Sequence, residues 1–279
     1  MNISQGLGKV SVIRICTTVL IVSLFYCELA VSKDLIFPTP PTQSVEMTRK
    51  NYQPLVDYIS QAINKKIVLM PAKNFQEYTK NLRIGTYDMI FDGPHFINWR
   101  IRKQNHVVVA KQPGELHFAI VAMKNSSIRK LEDLWALPVC TPSVPHLGTL
   151  TMLEIYSNPI REPVIIPVQS FKHALKCLRE GRGLAALVRD KYWYKKADRS
   201  GLRVIHMTKK KMPARGLTVS PRVNKKAQRQ ITRALTSKEG RKFAEKAFST
   251  IGGGKFVTAN TAEFSNHGEI IKQVWGFHL

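Results

Sequence analysis

Short apolar runs alternate with helix-patterned stretches along most of this chain, and that alternation restricts its fold more than any other feature. Leu35 to Phe37 reads as a buried strand; after the loop 38–42, Tyr52, Leu55, Val56, Ile59 and Ile63 fall at helical spacing. Lys66 to Met70 is the next strand, Phe75, Tyr78 and Leu82 mark a helix, and Tyr87 to Phe91 a strand. Asp92, Gly93 and Pro94 then turn into a helix from about His95, and Val107 to Ala110 and His117 to Met123 are further strands. Strand, helix, strand repeated in this way predicts a largely parallel sheet covered on both faces.

A second series starts at Ser126 and Ser127, which cap a short helix carrying Ile128, Leu131 and Leu134. Strands are expected at Leu137 to Cys140, Val164 to Pro167, Leu184 to Val188 and Leu202 to His206, with helices over 147–156 and 171–180 between them. Leu217 to Val219, helices near Asn224 to Thr236 and Lys238 to Phe248, a glycine stop at 252–254 and a last helix ending near Trp275 complete the chain. The expected architecture is α/β and two-lobed, each lobe a mostly parallel sheet flanked by helices. Residues 33–121 and 216–279 form lobe 1, and residues 122–215 lobe 2. Ligands of open α/β sheets sit beyond the carboxyl ends of the strands, so the segments 38–42, 92–96, 141–149 and 189–192 are expected to face one another across a cleft.

The first 32 residues are different in kind. Lys9 and Arg14 precede an uncharged run from Ile15 to Cys27, too short to span a bilayer comfortably, and Ala30 and Ser32 give the small-x-small spacing of a leader-peptidase site. Residues 1–32 read as a signal peptide cleaved after Ser32; an uncleaved membrane anchor is the alternative. Of the four cysteines, Cys16 and Cys27 fall in this leader. That leaves Cys140 and Cys177 in an oxidising compartment, either bridged or as two buried thiols.

Charge is the strongest compositional signal: 43 basic residues against 19 acidic give +24. An excess of this size attracts anions and anionic membrane surfaces, and export removes nucleic acid from the expected partners. Eight histidines and eight methionines raise a metal-binding alternative, but no two histidines stand at i, i+3 or i, i+4. No nucleophile elbow, P-loop or His-Glu-x-x-His motif is present, so no enzyme is expected and no cofactor.

Three stretches carry a family likeness: Asn51 to Ile59 (NYQPLVDYI), Gly85 to Phe96 (GTYDMIFDGPHF) and Ile128 to Trp135 (IRKLEDLW). In this order they resemble the phosphate/phosphite/phosphonate-binding proteins of ABC importers, the PhnD-like family, over about Leu35 to Trp275. The resemblance implies a type II periplasmic binding fold, capture of a small anionic solute by lobe closure, and delivery to an ABC permease in the inner membrane. Phosphonate-binding members hold the oxyanion on a Ser-Thr-Ser-Gly stretch opening a helix of the second lobe. Here that place reads Thr141-Pro-Ser-Val-Pro-His-Leu-Gly-Thr149, with three hydroxyls kept and two prolines that donate no amide. Phe171 stands where the family often has a ligand-facing histidine.

The candidate ligand-binding residues are Thr39, Asp92, His95, Phe96, Thr141, Ser143, His146, Thr149 and Asp190. The hydroxyls sit at a helix N-terminus, where unpaired amides and the helix dipole favour negative charge; ordinary N-capping explains the same residues equally well. His146 suits donation to an oxyanion or metal ligation. Asp92 and Asp190 suit a cationic or hydroxyl group on the ligand, or cap helices. A sensor or adaptor that binds a partner protein with the same fold is the remaining alternative.

Overall fold

The computed structural model describes residues 33–156, 158–247 and 255–278. The expected signal peptide, Cys16 and Cys27 and the glycine stop at 252–254 lie outside the described residues. Residues from Asp34 onward form one compact unit.

Strand β1 (Leu35–Thr39) pairs in parallel with β2 (Ile67–Pro71). Between them runs α1 (Val45–Ile63), whose N-cap Ser44 accepts from Met47 N and whose face of Tyr52, Leu55, Val56, Ile59 and Ile63 is buried. Helix α2 (Phe75–Arg83) leads to β3 (Met89–Asp92), which is tied to β1 through Asp88. Asp88 N donates to Ile36 O at 2.9 Å, and its carboxylate accepts from Ile36 N at 2.8 Å. Helix α3 (Pro94–Gln104) and β4 (Val107–Lys111) follow.

The second sheet is five-stranded, in the order β7-β6-β8-β5-β9, with β5 (Phe118–Met123), β6 (Pro138–Thr141), β7 (Val164–Pro167), β8 (Ala185–Arg189) and β9 (Leu202–Met207). Helices α4 (Leu147–Glu154), α5 (Phe171–Arg179) and α6 (Asp190–Lys195) connect them. The chain then returns as β10 (Gly216–Val219), inserted between β3 and β4, before α7 (Lys225–Thr236) and α8 (Lys238–Ala247).

Each larger sheet has one strand running against the rest. β10 is antiparallel to β3 and β4, and β5 is antiparallel to β8 and β9, while β6 is parallel to β7 and β8. The reversed strands are the two that carry the chain from one sheet to the other. β5 ladders with β8 and β9, which corrects the expected boundary at residue 121: Phe118 to Val121 belong to the second sheet, and the passage lies just before them. There Leu116 N donates to Met212 O, and Gln112 N to Arg215 O, joining the two connections side by side.

The expected last helix is replaced by two short 3₁₀ turns, Thr261–Phe264 and Glu269–Ile271. Asn98 Nδ2 donates to Phe264 O and Ser265 O at 2.8 and 2.6 Å, which ends the first turn, and Gly276 takes a φ of 81°. The tail nevertheless packs back: Phe277 lies 5.2 Å from Trp99 and 5.6 Å from Phe96, ring to ring. Cys140 and Cys177 form a disulfide that joins the end of β6 to α5.

Candidate functional site

Strand ends position the site. A cavity of about 220 Å³ lies where β1, β3 and β8 end, and draws on all four of the segments that follow strand ends: Pro40 and Thr42; Asp92, Gly93, His95 and Phe96; Pro145 to Leu147; and Arg189. Arg215, just before β10, completes its polar lining. The cavity opens into an outer groove of about 480 Å³ that shares Thr42, Phe75, His146 and Phe171 with it.

The α3 end is the first wall. Gly93 is the N-cap without a side-chain hydrogen bond and Pro94 stands at N1. The amides of His95 and Phe96, in the first turn, have no carbonyl one turn back to pair with. Gly93 is required by packing, because a Cβ there would lie 2.9 Å from His95 Cε1. The His95 imidazole is buried with Nε2 3.1 Å from Pro145 O, so Nε2 carries the proton and Nδ1 is an acceptor, buried without a partner. Burial lowers the His95 pKa to about 4, so the ring is neutral.

Asp92 lines the cavity, but both its oxygens are taken. Arg100 Nη1 and Nη2 donate to them at 2.8 and 2.7 Å, and Tyr78 Oη donates to Oδ2 at 2.7 Å. Arg100 also donates to Thr218 Oγ1, is fully buried, and emerges from α3 eight residues after Asp92. Asp92 thus meets the cavity as a carboxylate already paired with Arg100 and not as a free charge.

The positive charges that remain are Arg189 and Arg215. Arg215 Nη2 donates to Tyr52 Oη at 3.1 Å and to Phe91 O at 3.0 Å, and its guanidinium sits 4.5 Å from the Phe91 ring centroid. Its Nε and Nη1 make no hydrogen bond among the described residues. Burial opposes the Arg215 charge, but Tyr52 and then Asp92 favour it, and the net pKa is raised. Arg189 ends β8; its Nε is buried without a hydrogen bond but forms an ion pair with Asp190 Oδ1 at 3.8 Å. Burial, then Arg215, lower its pKa.

The opposite wall departs from what the hydroxyls suggested. Thr149 Oγ1 donates to Pro142 O at 2.5 Å, so the 2.8 Å contact with Thr141 must run from the Thr141 hydroxyl to Thr149. Both are buried and neither lines the cavity. Pro142 turns its carbonyl toward α4, which is what consumes the hydroxyls. His146 caps α4, its Nδ1 accepting from Gly148 N at 3.2 Å, which leaves Nε2–H as the donor. Burial, then His95, lower its pKa to about 3. Phe118, Leu147 and Phe171 fill the rest of this wall. Gly148 lets Phe118 in, since a Cβ there would meet that ring at 2.7 Å.

Of the other candidates, Phe96 lines the cavity and also packs on Tyr78, at 5.7 Å. Ser143 lines the outer groove only. Thr39 is buried with an unpartnered hydroxyl, and Asp190 accepts from Lys191 N at 2.6 Å; neither lines the cavity. Sequence reasoning marked the segment 189–192 but not Arg189 as its polar residue, and missed Arg215 altogether. Arg189 was findable, as the charged residue ending an apolar strand; Arg215 lies in a basic stretch with nothing local to single it out.

Residues 37–264 match the family model described as "ABC transporter, phosphonate, periplasmic substrate-binding protein". No curated protein matches the chain in sequence. Among solved structures it is similar to PhnD1 from Prochlorococcus marinus (MIT 9301) in complex with methylphosphonate, at 14% identity and TM-score 0.70, covering 86% of this chain and 98% of that one. It is also similar to a Xanthomonas citri protein bound to ATP (12% identity, TM-score 0.70, coverage 86% and 98%). A third is a binding-protein component of an ABC phosphonate transporter from Pseudomonas aeruginosa (12% identity, TM-score 0.65, 82% of each chain). These likenesses carry the fold, a two-lobed type II periplasmic binding protein. With more than three quarters of its length matched by the family model, the chain belongs to the periplasmic substrate-binding proteins of ABC phosphonate transporters.

Proposed function

We propose that this protein captures a small phosphonate-like oxyanion between Arg189, Arg215 and the first turn of α3, closes its lobes on it and hands it to a membrane permease. The observation that carries this reading is the cavity's charge. Two guanidinium groups line it, Arg215 and an Arg189 that is loosely ion-paired with Asp190 outside the lining, and the one carboxylate in the lining is paired with Arg100. A desolvated guanidinium with unused donors is a strong oxyanion partner, and the free amides of a helix N-terminus add to it. Arg189 comes from the second sheet and Arg215 from beside β10 in the first, so an anion held by both favours the closed arrangement.

The lobes in this reading are the segments on either side of the paired connections at 112–116 and 212–215. The leader is removed after Ser32, the mature protein works in the periplasm, and it performs no chemistry of its own. Its basic surface draws it to anionic membrane lipid, which cosedimentation with anionic liposomes at physiological salt tests. Among the described residues, no helix is long and apolar enough to cross a membrane.

The test of capture is calorimetric titration of the purified protein with methylphosphonate, phosphite, phosphate and phenylphosphonate. Saturable binding of at least one of them, weakened in Arg215→Ala and in Arg189→Ala, is expected. No binding of any would defeat this reading.

A further inference from the structure

One side of the cavity offers an oxyanion a single side-chain donor, His146 Nε2–H. The Thr141 and Thr149 hydroxyls are bonded to each other and to Pro142 O, and Pro142 and Pro145 have no amide hydrogen. The Gly148 amide is already taken by His146 Nδ1. Apart from His146 and Pro145, what faces the cavity there is Phe118, Leu147 and Phe171, with Phe75 and Leu116 beside them. The charged groups, Arg189, Arg215 and the α3 amides, leave this apolar side to something else.

A compact tetrahedral anion carries oxygens on every side. Placed here, those turned toward the phenylalanines would be buried without partners, which costs binding free energy for each. An apolar substituent on that side removes the cost and gains from burial. The size also fits: an apolar cavity of about 150 Å³ takes a benzene ring, and this one, at about 220 Å³, leaves room for a charged head as well. Phe171 lies 5.6 Å from His146 and 5.9 Å from Tyr192, ring centroid to ring centroid, so the apolar side is a packed aromatic surface.

We infer that the ligand is an organic anion with a ring-sized apolar body, its oxyanion head on Arg189 and Arg215 and its body against Phe118, Leu147 and Phe171. This rests on the anion-capture reading above and narrows it. Inorganic phosphate and methylphosphonate are then poor ligands.

The experiment is calorimetric titration of the purified protein with phosphate, methylphosphonate and phenylphosphonate, which share a tetrahedral phosphorus head and differ in body. Phenylphosphonate is expected to bind about tenfold or more tightly than methylphosphonate. In Phe171→His and Phe171→Ala that ratio is expected to fall toward one. Methylphosphonate or phosphate binding as tightly as phenylphosphonate, in an Arg215-dependent way, overturns the inference and leaves anion capture standing. Phenylphosphonate binding that is preferred but insensitive to both Phe171 variants also overturns it, because the body then lies elsewhere. Failure of all three to bind takes the capture reading down, and this one with it.

Discussion

Arg189 and Arg215 line one cavity from two different sheets, and the charge of Arg215 lowers the pKa of Arg189. Like charges held together in a partly buried space cost stability until an anion arrives between them. Removing Arg215, the better anchored of the two, is expected to weaken anion binding about 100-fold or more, while Arg215→Lys recovers only part of it because a single ammonium cannot donate in a planar fork. Titration calorimetry checks both.

Asp92 and Arg100 make a fully buried bidentate pair. Asp92→Asn leaves the guanidinium buried without its counter-charge and is expected to cost about 3–5 kcal/mol, read as a lower urea midpoint. A ligand-contacting carboxylate on a free wall would show the opposite pattern, a changed affinity with little change in stability.

Thr149→Val deletes the donor to Pro142 O and strands the Thr141 hydroxyl in the interior. The expected result is a loss of about 1–3 kcal/mol in stability with anion affinity unchanged within twofold. A large drop in affinity with unchanged stability would restore these hydroxyls to the binding site.

Acid should unfold this protein through its buried imidazoles. Their ordinary pKa of 6.5 is lowered, chiefly by burial, to about 4 for His95 and about 3 for His106 and His146. Because the unfolded chain takes up protons first, the stability these groups contribute is complete above pH 6.5 and is lost as pH falls toward their folded values. Between pH 6.5 and 4 the slope is up to about 1.4 kcal/mol per pH unit for each imidazole. Urea midpoints at pH 7, 5.5 and 4.5 measure it, and His106→Gln should flatten the curve by one proton. A flat profile down to pH 4.5 contradicts the neutral buried rings.

The disulfide closes a segment with a sequence separation of 37 between Cys140 and Cys177. Cys177→Ser is expected to cost about 4 kcal/mol, from the unfolded-chain entropy of a loop this long. Comparing oxidised and reduced wild type by thermal melting checks it independently.

Period and punctuation were enough for most of the fold. The face of Tyr52, Leu55, Val56, Ile59 and Ile63, the strand ending at Asp92 and the Gly93-Pro94 helix start are all local signals, and each reappears where the spacing put it. Local pattern also marked which loops meet, because loops after parallel strands share one side of their sheet. It could not fix the boundary at β5: an apolar run reads the same whichever sheet accepts it, and only the ladders with β8 and β9 decide. It likewise overran at the tail, where the apolar residues mimic a helix but Asn98, from α3, holds the chain in 3₁₀ turns.

The site was legible as a set of segments and not as a set of donors. Whether a hydroxyl, carboxylate or guanidinium serves a ligand depends on what else in the fold satisfies it first, and those partners are distant in sequence or reached by a particular turn. Arg100 claims Asp92 from two helical turns away, Pro142 O claims Thr149, and Arg215 is aimed by Tyr52, 163 residues earlier. Sequence by itself set the periods, the strand ends and the excess of positive charge. Tertiary structure alone decided which of those charges remain unspent, because hydrogen-bond satisfaction is a property of the packed interior.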